Sequence, residues 1–249
     1  MNLAKTPMLA ATRLTRRFGG LSAINAVDVS IHRGELLGLI GPNGAGKTTL
    51  FNLFMGLIAP SDGDIVLEGV RINVLKPHQV CRRGMVKTFQ NVALFPDMTV
   101  LDNVLTGGLL HLSVHDAKAL AMDTLAKVGM APIAGKRASE LTFPERALVE
   151  LARALCTQPK IVLLDEVMAA LNHVEMDQVL ALIRKLRHDE GLTFVVIEHH
   201  MRAIMNLCER IVVLNFGQKI AEGSPSEISN HPEVIAAYLG QELDPGAVA

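Results

Sequence analysis

Apolar residues recur along the chain in two spacings that alternate with one another. Apolar runs of strand length occupy residues 36–40 and 161–164, and another follows Thr193 up to Ile197. Between them, apolar residues return every three to four positions, the period of one helix face. Leu50, Leu53, Phe54 and Leu57 form such a stripe after the first run. Leu148, Leu151, Ala152 and Leu155 form another before the second, with Arg146, Glu150 and Arg153 on its polar face. The pattern predicts helices at about 144–157 and 174–189, a further helix after His199, and a hairpin near Asn215, Phe216 and Gly217. A β-like stretch at 65–67 and a helix followed by a strand over 77–90 come before the middle region. Residues 91–138 read as helical and loop-rich, with Gly107, Gly108, Gly129 and Gly135 as interruptions. Fully apolar strands are those of a parallel sheet covered on both faces. Strands alternating with helices predict an α/β fold with a mainly parallel sheet. No internal repeat is present, and the tail after Gly240 is expected to fray.

Composition narrows the function classes. The 249 residues are enough for one large domain, or one domain with an insertion, and 49% apolar content excludes wholesale disorder. Lys plus Arg number 24 and Asp plus Glu 25, a net charge of −1 that argues against a polyanion-coating protein. Trp is absent and Tyr occurs once, so stacking platforms for single-stranded nucleic acid are not evident. Cys81, Cys156 and Cys208 lie far apart and the nine histidines form no HExxH pattern, which leaves a disulfide framework or zinc hydrolase without support. Arg13, Arg16 and Arg17 interrupt any apolar signal core, and no run approaches the ~18 residues of a membrane helix. A soluble, cytoplasmic protein is expected. Its mean hydropathy of +0.31 leaves room for a buried partner surface.

The strand at 36–40 runs straight into Gly41, Pro42, Asn43, Gly44, Ala45, Gly46, Lys47 and Thr48, a full match to the P-loop pattern in its strand–loop–helix context. Glycines at these positions let successive backbone N–H groups turn inward around phosphate oxygens, and the following helix adds its positive end. Lys47 is placed for the β- and γ-phosphates, the Thr48 hydroxyl for Mg²⁺, and Thr49 for the α-phosphate. A nucleoside triphosphate and Mg²⁺ are the expected ligands.

The run at 161–164 ends in Asp165 and Glu166. Period-two geometry sends adjacent side chains to opposite sides, so the two carboxylates are expected to do different work. Asp165 is placed to hold Mg²⁺ through water, and Glu166 to act as general base on the attacking water. His199 also ends an apolar strand. It reads either as a γ-phosphate contact or as a histidine packed against the sheet.

Taken in order, the P-loop, Gln90 within Thr88-Phe89-Gln90-Asn91, Leu141-Thr142-Phe143-Pro144-Glu145, Leu163-Leu164-Asp165-Glu166, Leu171-Asn172 and His199 resemble the nucleotide-binding subunit of an ABC transporter. The resemblance extends from about Leu9 to Gly240. Phe18-Gly19-Gly20-Leu21-Ser22-Ala23-Ile24, Ala169-Ala170-Leu171-Asn172, Ile197-Glu198-His199-His200-Met201 and Ala237-Tyr238-Leu239-Gly240 are similar to the ATPases of branched-chain amino acid importers, and urea or amide importers share much of this.

The resemblance implies a P-loop NTPase core with a mostly parallel sheet and an N-terminal antiparallel β subdomain. It also implies a helical subdomain inserted at about 91–157 and a flexible tail at about 241–249 within one nucleotide-binding domain. It implies that Phe18 stacks on adenine and that Gln90 completes the Mg²⁺ shell and senses the γ-phosphate. His199 becomes the switch histidine, and Asn172 sits in a loop crossing a dimer interface. The apolar cluster Val92, Leu94, Phe95 and Met98 becomes the surface that receives the membrane subunit, with helical-insertion core as the plain alternative. The implied partners are a second ATP-binding subunit, two transmembrane permease subunits and, indirectly, a periplasmic solute-binding protein, at the cytoplasmic face of the inner membrane and without nucleic acid.

Several residues depart from the family pattern. The signature usually reads Leu-Ser-Gly-Gly-Gln, or in this subgroup a variant with an aromatic third residue, and serves the partner's ATP. Here it is Leu141, Thr142, Phe143, Pro144 and Glu145. Pro144 has no N–H to donate, though proline suits a helix's first turn. Glu145 brings a carboxylate toward a polyanion, though it also favours a helix N-terminus. Val167, Ala170 and His200 are smaller departures that remove no catalytic group. Intact ATP-binding residues beside a weakened signature predict that this chain binds ATP well and completes a partner's site poorly. Besides a transport ATPase, the readings left open are a nearly inactive regulatory module and a soluble ATPase acting on nucleic acid or ribosomes.

Overall fold

The computed structural model describes residues 6–88, 93–169 and 171–242. They form two compact units, one made of the residues up to Lys76 together with those from Val195 onward, the other of Pro77–Phe194.

In the first unit, β1 (Leu9–Phe18) and β2 (Leu21–Ile31) make a hairpin, joined by β4 (Asp62–Leu67) and β5 (Val70–Arg71) into an antiparallel sheet of order β2-β1-β4-β5. Its strands alternate buried and exposed positions, as a sheet covered on one face requires. β3 (Leu36–Ile40) is buried at every position and pairs in parallel with β9 (Arg210–Asn215), which pairs antiparallel with β10 (Gln218–Gly223) across the expected hairpin. α1 (Lys47–Phe54) follows β3, and its Leu50, Phe51, Leu53 and Phe54 are buried. The helix stops sooner than the apolar spacing predicts, because Gly56 turns into the left-handed region at φ 68°. Leu57 therefore lies beyond the last turn and is 47% exposed instead of completing the stripe. α7 (Met201–Leu207), α8 (Pro225–Ser229) and α9 (Pro232–Glu242) complete this unit.

In the second unit, α2 (Pro77–Arg82) leads to β6 (Met85–Lys87), which pairs in parallel with the fully buried β7 (Ile161–Asp165). The chain leaves this unit within β8 (Thr193–Ile197), buried at all five positions. Between β6 and β7 lie α3 (Val100–Gly108), α4 (Val114–Lys127) and α5 (Phe143–Leu155), and α6 (His173–Glu190) follows β7. Gly107 and Gly108 lie within a helix. They close α3, where a Cβ on Gly107 would stand 2.3 Å from the Arg153 carbonyl oxygen and one on Gly108 2.9 Å from the Ala117 Cβ. The small residues let three helices pack backbone to backbone.

Glu150 is also not on a solvated face. It is 2% exposed, because α5 is packed on more than one side, and Arg153 lies 3.6 Å from its carboxylate. Among the described residues, no helix is long and apolar enough to cross a membrane.

Candidate functional site

The P-loop occupies the turn between β3 and α1, in the first unit. Gly41 has φ 150° and Gly46 φ 104°. A Cβ on Gly41 would stand 2.1 Å from the Leu214 carbonyl oxygen, and one on Gly46 2.6 Å from the Ala23 carbonyl oxygen. Only glycine fits at either place, so the loop is pressed against β9 on one side and β2 on the other. The Lys47 side chain is buried and curls back over its own loop. Its ammonium donates to the carbonyl oxygens of Gly41 at 2.6 Å and Pro42 at 3.0 Å. Asn43, Gly44 and Thr48 are exposed along the loop, Pro42 and Ala45 are buried, and Thr49 is half-buried. The loop is held from behind: Gly217 N–H donates to the Ala45 carbonyl at 3.0 Å. From α9, burial pushes the Tyr238 phenol up, offset in part by a hydrogen bond with the Gly41 backbone.

Phe18 closes β1 opposite Leu21 and is 46% exposed. The same hairpin touches the P-loop. Ile24 sits opposite Arg16 in register, and its Cδ1 would lie 2.8 Å from a Cβ on Gly46. The structure thus brings the Phe18 hairpin and the phosphate loop together within one unit. His199, also in this unit, is exposed just beyond β8 and next to the buried Glu198.

In the second unit, Asp165 ends β7 and is 1% exposed. The Lys87 ammonium, on a side chain 6% exposed, lies 2.9 Å from its Oδ2. The contact is an ion pair set off the hydrogen-bond direction, and neither carboxylate oxygen has a hydrogen-bond partner among the described residues. Thr88 fixes the main chain here. Its hydroxyl accepts from the Asp165 N–H at 3.2 Å, and its own N–H donates to the Leu163 carbonyl at 2.9 Å.

Glu166 lies just beyond the end of β7, so strand alternation no longer sets its direction. The strand has ended, and Glu166 takes φ 55°, a left-handed conformation that a non-glycine residue adopts at a cost of about 1–2 kcal/mol.

Mg²⁺ takes oxygen ligands and is commonly held by one or two protein groups with the rest supplied by water and phosphate. Each within its own unit, the buried Asp165 carboxylate and the exposed Thr48 hydroxyl are oxygen groups of the kind such an ion takes. Gln90 lies outside the described residues, as do Asn91 and Val92.

The signature segment also lies in the second unit. Leu141 is buried, Phe143 is 42% exposed and Pro144 sits in the first turn of α5. Glu145 turns back on its own helix end. Its Oε2 accepts from the Thr142 N–H at 2.8 Å and from the Thr142 hydroxyl at 2.9 Å. The bond from the Thr142 N–H, above all, holds the Glu145 carboxyl below its ordinary value. The carboxylate is a cap for α5, and it engages the one hydroxyl proton the signature retains.

Asn172 is itself the N-cap of α6. Its Oδ1 accepts from Val174 N–H at 2.9 Å and Glu175 N–H at 3.0 Å. Pro144 and Leu171 line one groove of about 400 Å³ with Leu148 and Glu175, so the signature and the Leu171–Asn172 loop meet.

Of the apolar cluster, Phe95 is 52% exposed while Leu94 and Met98 are half-buried. The fully buried Asn103 holds this loop from within, accepting from Phe95 N–H at 2.8 Å and donating to the carbonyls of Phe95 at 3.1 Å and Thr99 at 3.0 Å.

Sequence reasoning missed Lys87, Thr88, Asn103 and Arg16 as site-shaping residues. Lys87 alone left a signal, a charge inside the apolar run Met85-Val86-Lys87.

Comparison with known proteins places the chain in a family. The ABC transporter family matches residues 24–169, and the family described as branched-chain amino acid ATP-binding cassette transporter matches residues 218–244. The chain is 39% identical to the high-affinity branched-chain amino acid transport ATP-binding protein BraF of Pseudomonas aeruginosa, over 94% of this chain and 98% of that one. It is 41% identical to the corresponding protein LivG of Escherichia coli, with the same coverage. Among solved structures it resembles the ADP conformation of an ATP-binding cassette of an ABC transporter, with a TM-score of 0.86, 28% identity, and 94% of this chain and 99% of that one covered. A dimeric bacterial ABC transporter cassette matches with a TM-score of 0.79 and 26% identity over 88% of this chain and 99% of that one. From its P-loop to its last helix, the chain belongs to the ABC transporter family of ATP-binding cassettes.

Proposed function

We propose that this cassette binds ATP with Mg²⁺, hydrolyses it, and so powers import of a small polar solute through membrane subunits. The observation that carries the reading is the glycine-dependent P-loop, with Lys47 folded inside it. In the proposed cycle the Lys47 ammonium exchanges the loop carbonyls for the β- and γ-phosphates, Thr49 meets the α-phosphate, and Phe18 stacks on adenine. Thr48, Gln90 and, through water, Asp165 are the groups that would hold Mg²⁺, which when bound neutralises charge on the phosphates. Glu166 takes a proton from water as its oxygen attacks the γ-phosphorus, and the bond from that phosphorus to the ADP oxygen breaks. Lys47 and His199 stabilise the charge that develops.

The substrate class we propose is branched-chain or related amino acids. Support comes from the names of the relatives at 39–41% identity and from the family match at 218–244. Urea and amides are the competing solutes. The proposed assembly is a head-to-tail pair of ATP-binding subunits at the cytoplasmic face of the inner membrane, docked on two permease subunits through the Phe95 loop and served by a periplasmic solute-binding protein. ATP closes the pair and hydrolysis reopens it, because nucleotide binds the two states with different affinity.

The test is uptake by the assembled transporter in vesicles with ATP inside, comparing labelled leucine with labelled urea. ATP-dependent leucine uptake is expected. ATP turnover that is stimulated by urea and not by any aliphatic amino acid would overturn the substrate class.

A further inference from the structure

Phe18 does not stand alone at the end of β1. The Arg16 guanidinium lies over its ring, 4.5 Å from the centroid, well within the range of a cation–π contact. Arg16 and Phe18 are two positions apart on β1, and an irregularity in the strand's register falls between Arg16 and Arg17. The far end of Arg16 is tied down: Nη1 donates to the Ala59 carbonyl oxygen at 2.8 Å. Its Nε is buried without a hydrogen-bond partner, and among the described residues no carboxylate pairs with it. The ring and the Ala59 carbonyl therefore hold the guanidinium. One face of Phe18 is occupied by a cation while the ring as a whole remains 46% exposed.

We infer that Arg16 is a positioning residue of the nucleotide-base site, fixing and polarising the Phe18 ring so that its other face receives adenine. The inference rests on the proposed role of Phe18 in ATP binding and goes beyond it. Two physical effects act together. A ring clamped on one side loses rotamer freedom before the base arrives, so less is lost on binding. A cation on one face draws electron density from the ring, which favours stacking of an electron-rich purine on the opposite face. The placement is suited to the task, because Ile24, opposite Arg16 in register, packs on Gly46 of the phosphate loop. A base resting on Phe18 thus belongs to a nucleotide whose phosphates reach the P-loop.

The experiment is calorimetric titration of the purified chain with ATP and, separately, with inorganic tripolyphosphate. It uses the wild type, Arg16→Met, Arg16→Lys, Phe18→Ala and the Arg16→Met/Phe18→Ala double variant. Methionine keeps the length and apolar stem and removes the cation. Arg16→Met is expected to weaken ATP by about 2–5-fold and leave tripolyphosphate unchanged. Arg16→Lys is expected to recover part of the loss, and Arg16→Met is expected to cost nothing further once Phe18 is gone. An Arg16→Met variant that binds ATP like the wild type while Phe18→Ala binds it weakly would overturn the inference and leave the Phe18 reading standing. Equal weakening of ATP and tripolyphosphate would overturn it too, by showing that Arg16 acts on phosphate charge. Unchanged ATP affinity in Phe18→Ala would remove the platform and the inference with it.

Discussion

Replacing Lys87 by methionine leaves the Asp165 carboxylate buried at the end of β7 with no counter-charge among the described residues. The two charges stand 2.9 Å apart with side chains only 6% and 2% exposed. At an effective dielectric of about 20, such a pair attracts by about 6 kcal/mol. Desolvation of both ions offsets much of that, so the pair adds little net stability, but removing one partner of a buried pair typically costs about 3–5 kcal/mol. For a chain of 249 residues this corresponds to a fall in melting temperature of about 6–10 °C. The assay is thermal unfolding of Lys87→Met, Asp165→Asn and the double variant, without nucleotide. The double variant removes both charges and is expected to melt well above the sum of the two losses, with a coupling of about 2 kcal/mol or more. If Lys87→Met melts within about 2 °C of the wild type, or the two losses simply add, then Lys87 is not the counter-ion of Asp165. Mg²⁺ with ATP is expected to restore part of the loss in Lys87→Met, because a ligand that binds only the folded state stabilises it.

Other expectations follow from the loop and the signature. Gly41→Ala would drive its Cβ to within 2.1 Å of a backbone oxygen, whereas Gly44→Ala meets nothing within 4 Å and suffers only its φ of +77°. Gly41→Ala is expected to abolish ATP binding, while Gly44→Ala folds with a loss of about 1–2 kcal/mol in a denaturant titration. Glu145 has a folded-state carboxyl below its ordinary 4.5, so its cap is fully present above that pH and is lost as the pH falls through the lower, folded-state value. Glu145→Gln should therefore flatten the acid limb of thermal stability below about pH 4.5, read by melting curves across a pH series. In the assembled transporter, Pro144→Gly with Glu145→Gln is expected to raise steady-state turnover by about 10-fold or more, since it returns an N–H donor and frees the Thr142 hydroxyl. An unchanged rate would count against a weakened signature.

The P-loop was legible because its glycines answer to backbone geometry alone. Gly41 and Gly46 are glycine for reasons contained within a few residues and the two strands beside them. The fully apolar strands were legible for a similar reason: β3, β7 and β8 are buried on both faces, which leaves no room for alternation. What could not be read depends on which distant side chains meet. Glu150 looks like a surface residue until Arg153 and the packing of α5 are known. Glu145 looks like a charge offered to a partner's phosphate, but it is folded onto Thr142. Helix periodicity carried the stripe through Leu57, but Gly56 ended the helix first. Lys87 acquires meaning only from Asp165 on the neighbouring strand, a pairing that no local spacing encodes, and Arg16 only from the three-dimensional seat of its guanidinium over Phe18.

The most direct test of a cassette that hydrolyses ATP with Glu166 as its base is steady-state turnover beside ATP affinity, in the wild type and in Glu166→Gln. The account predicts slow Mg²⁺-dependent release of phosphate by the wild type, and loss of that release in the variant by a factor of about 10² or more with ATP affinity retained. Turnover that survives the substitution would contradict the assignment of the base, and a wild-type chain that binds no ATP would contradict the account as a whole.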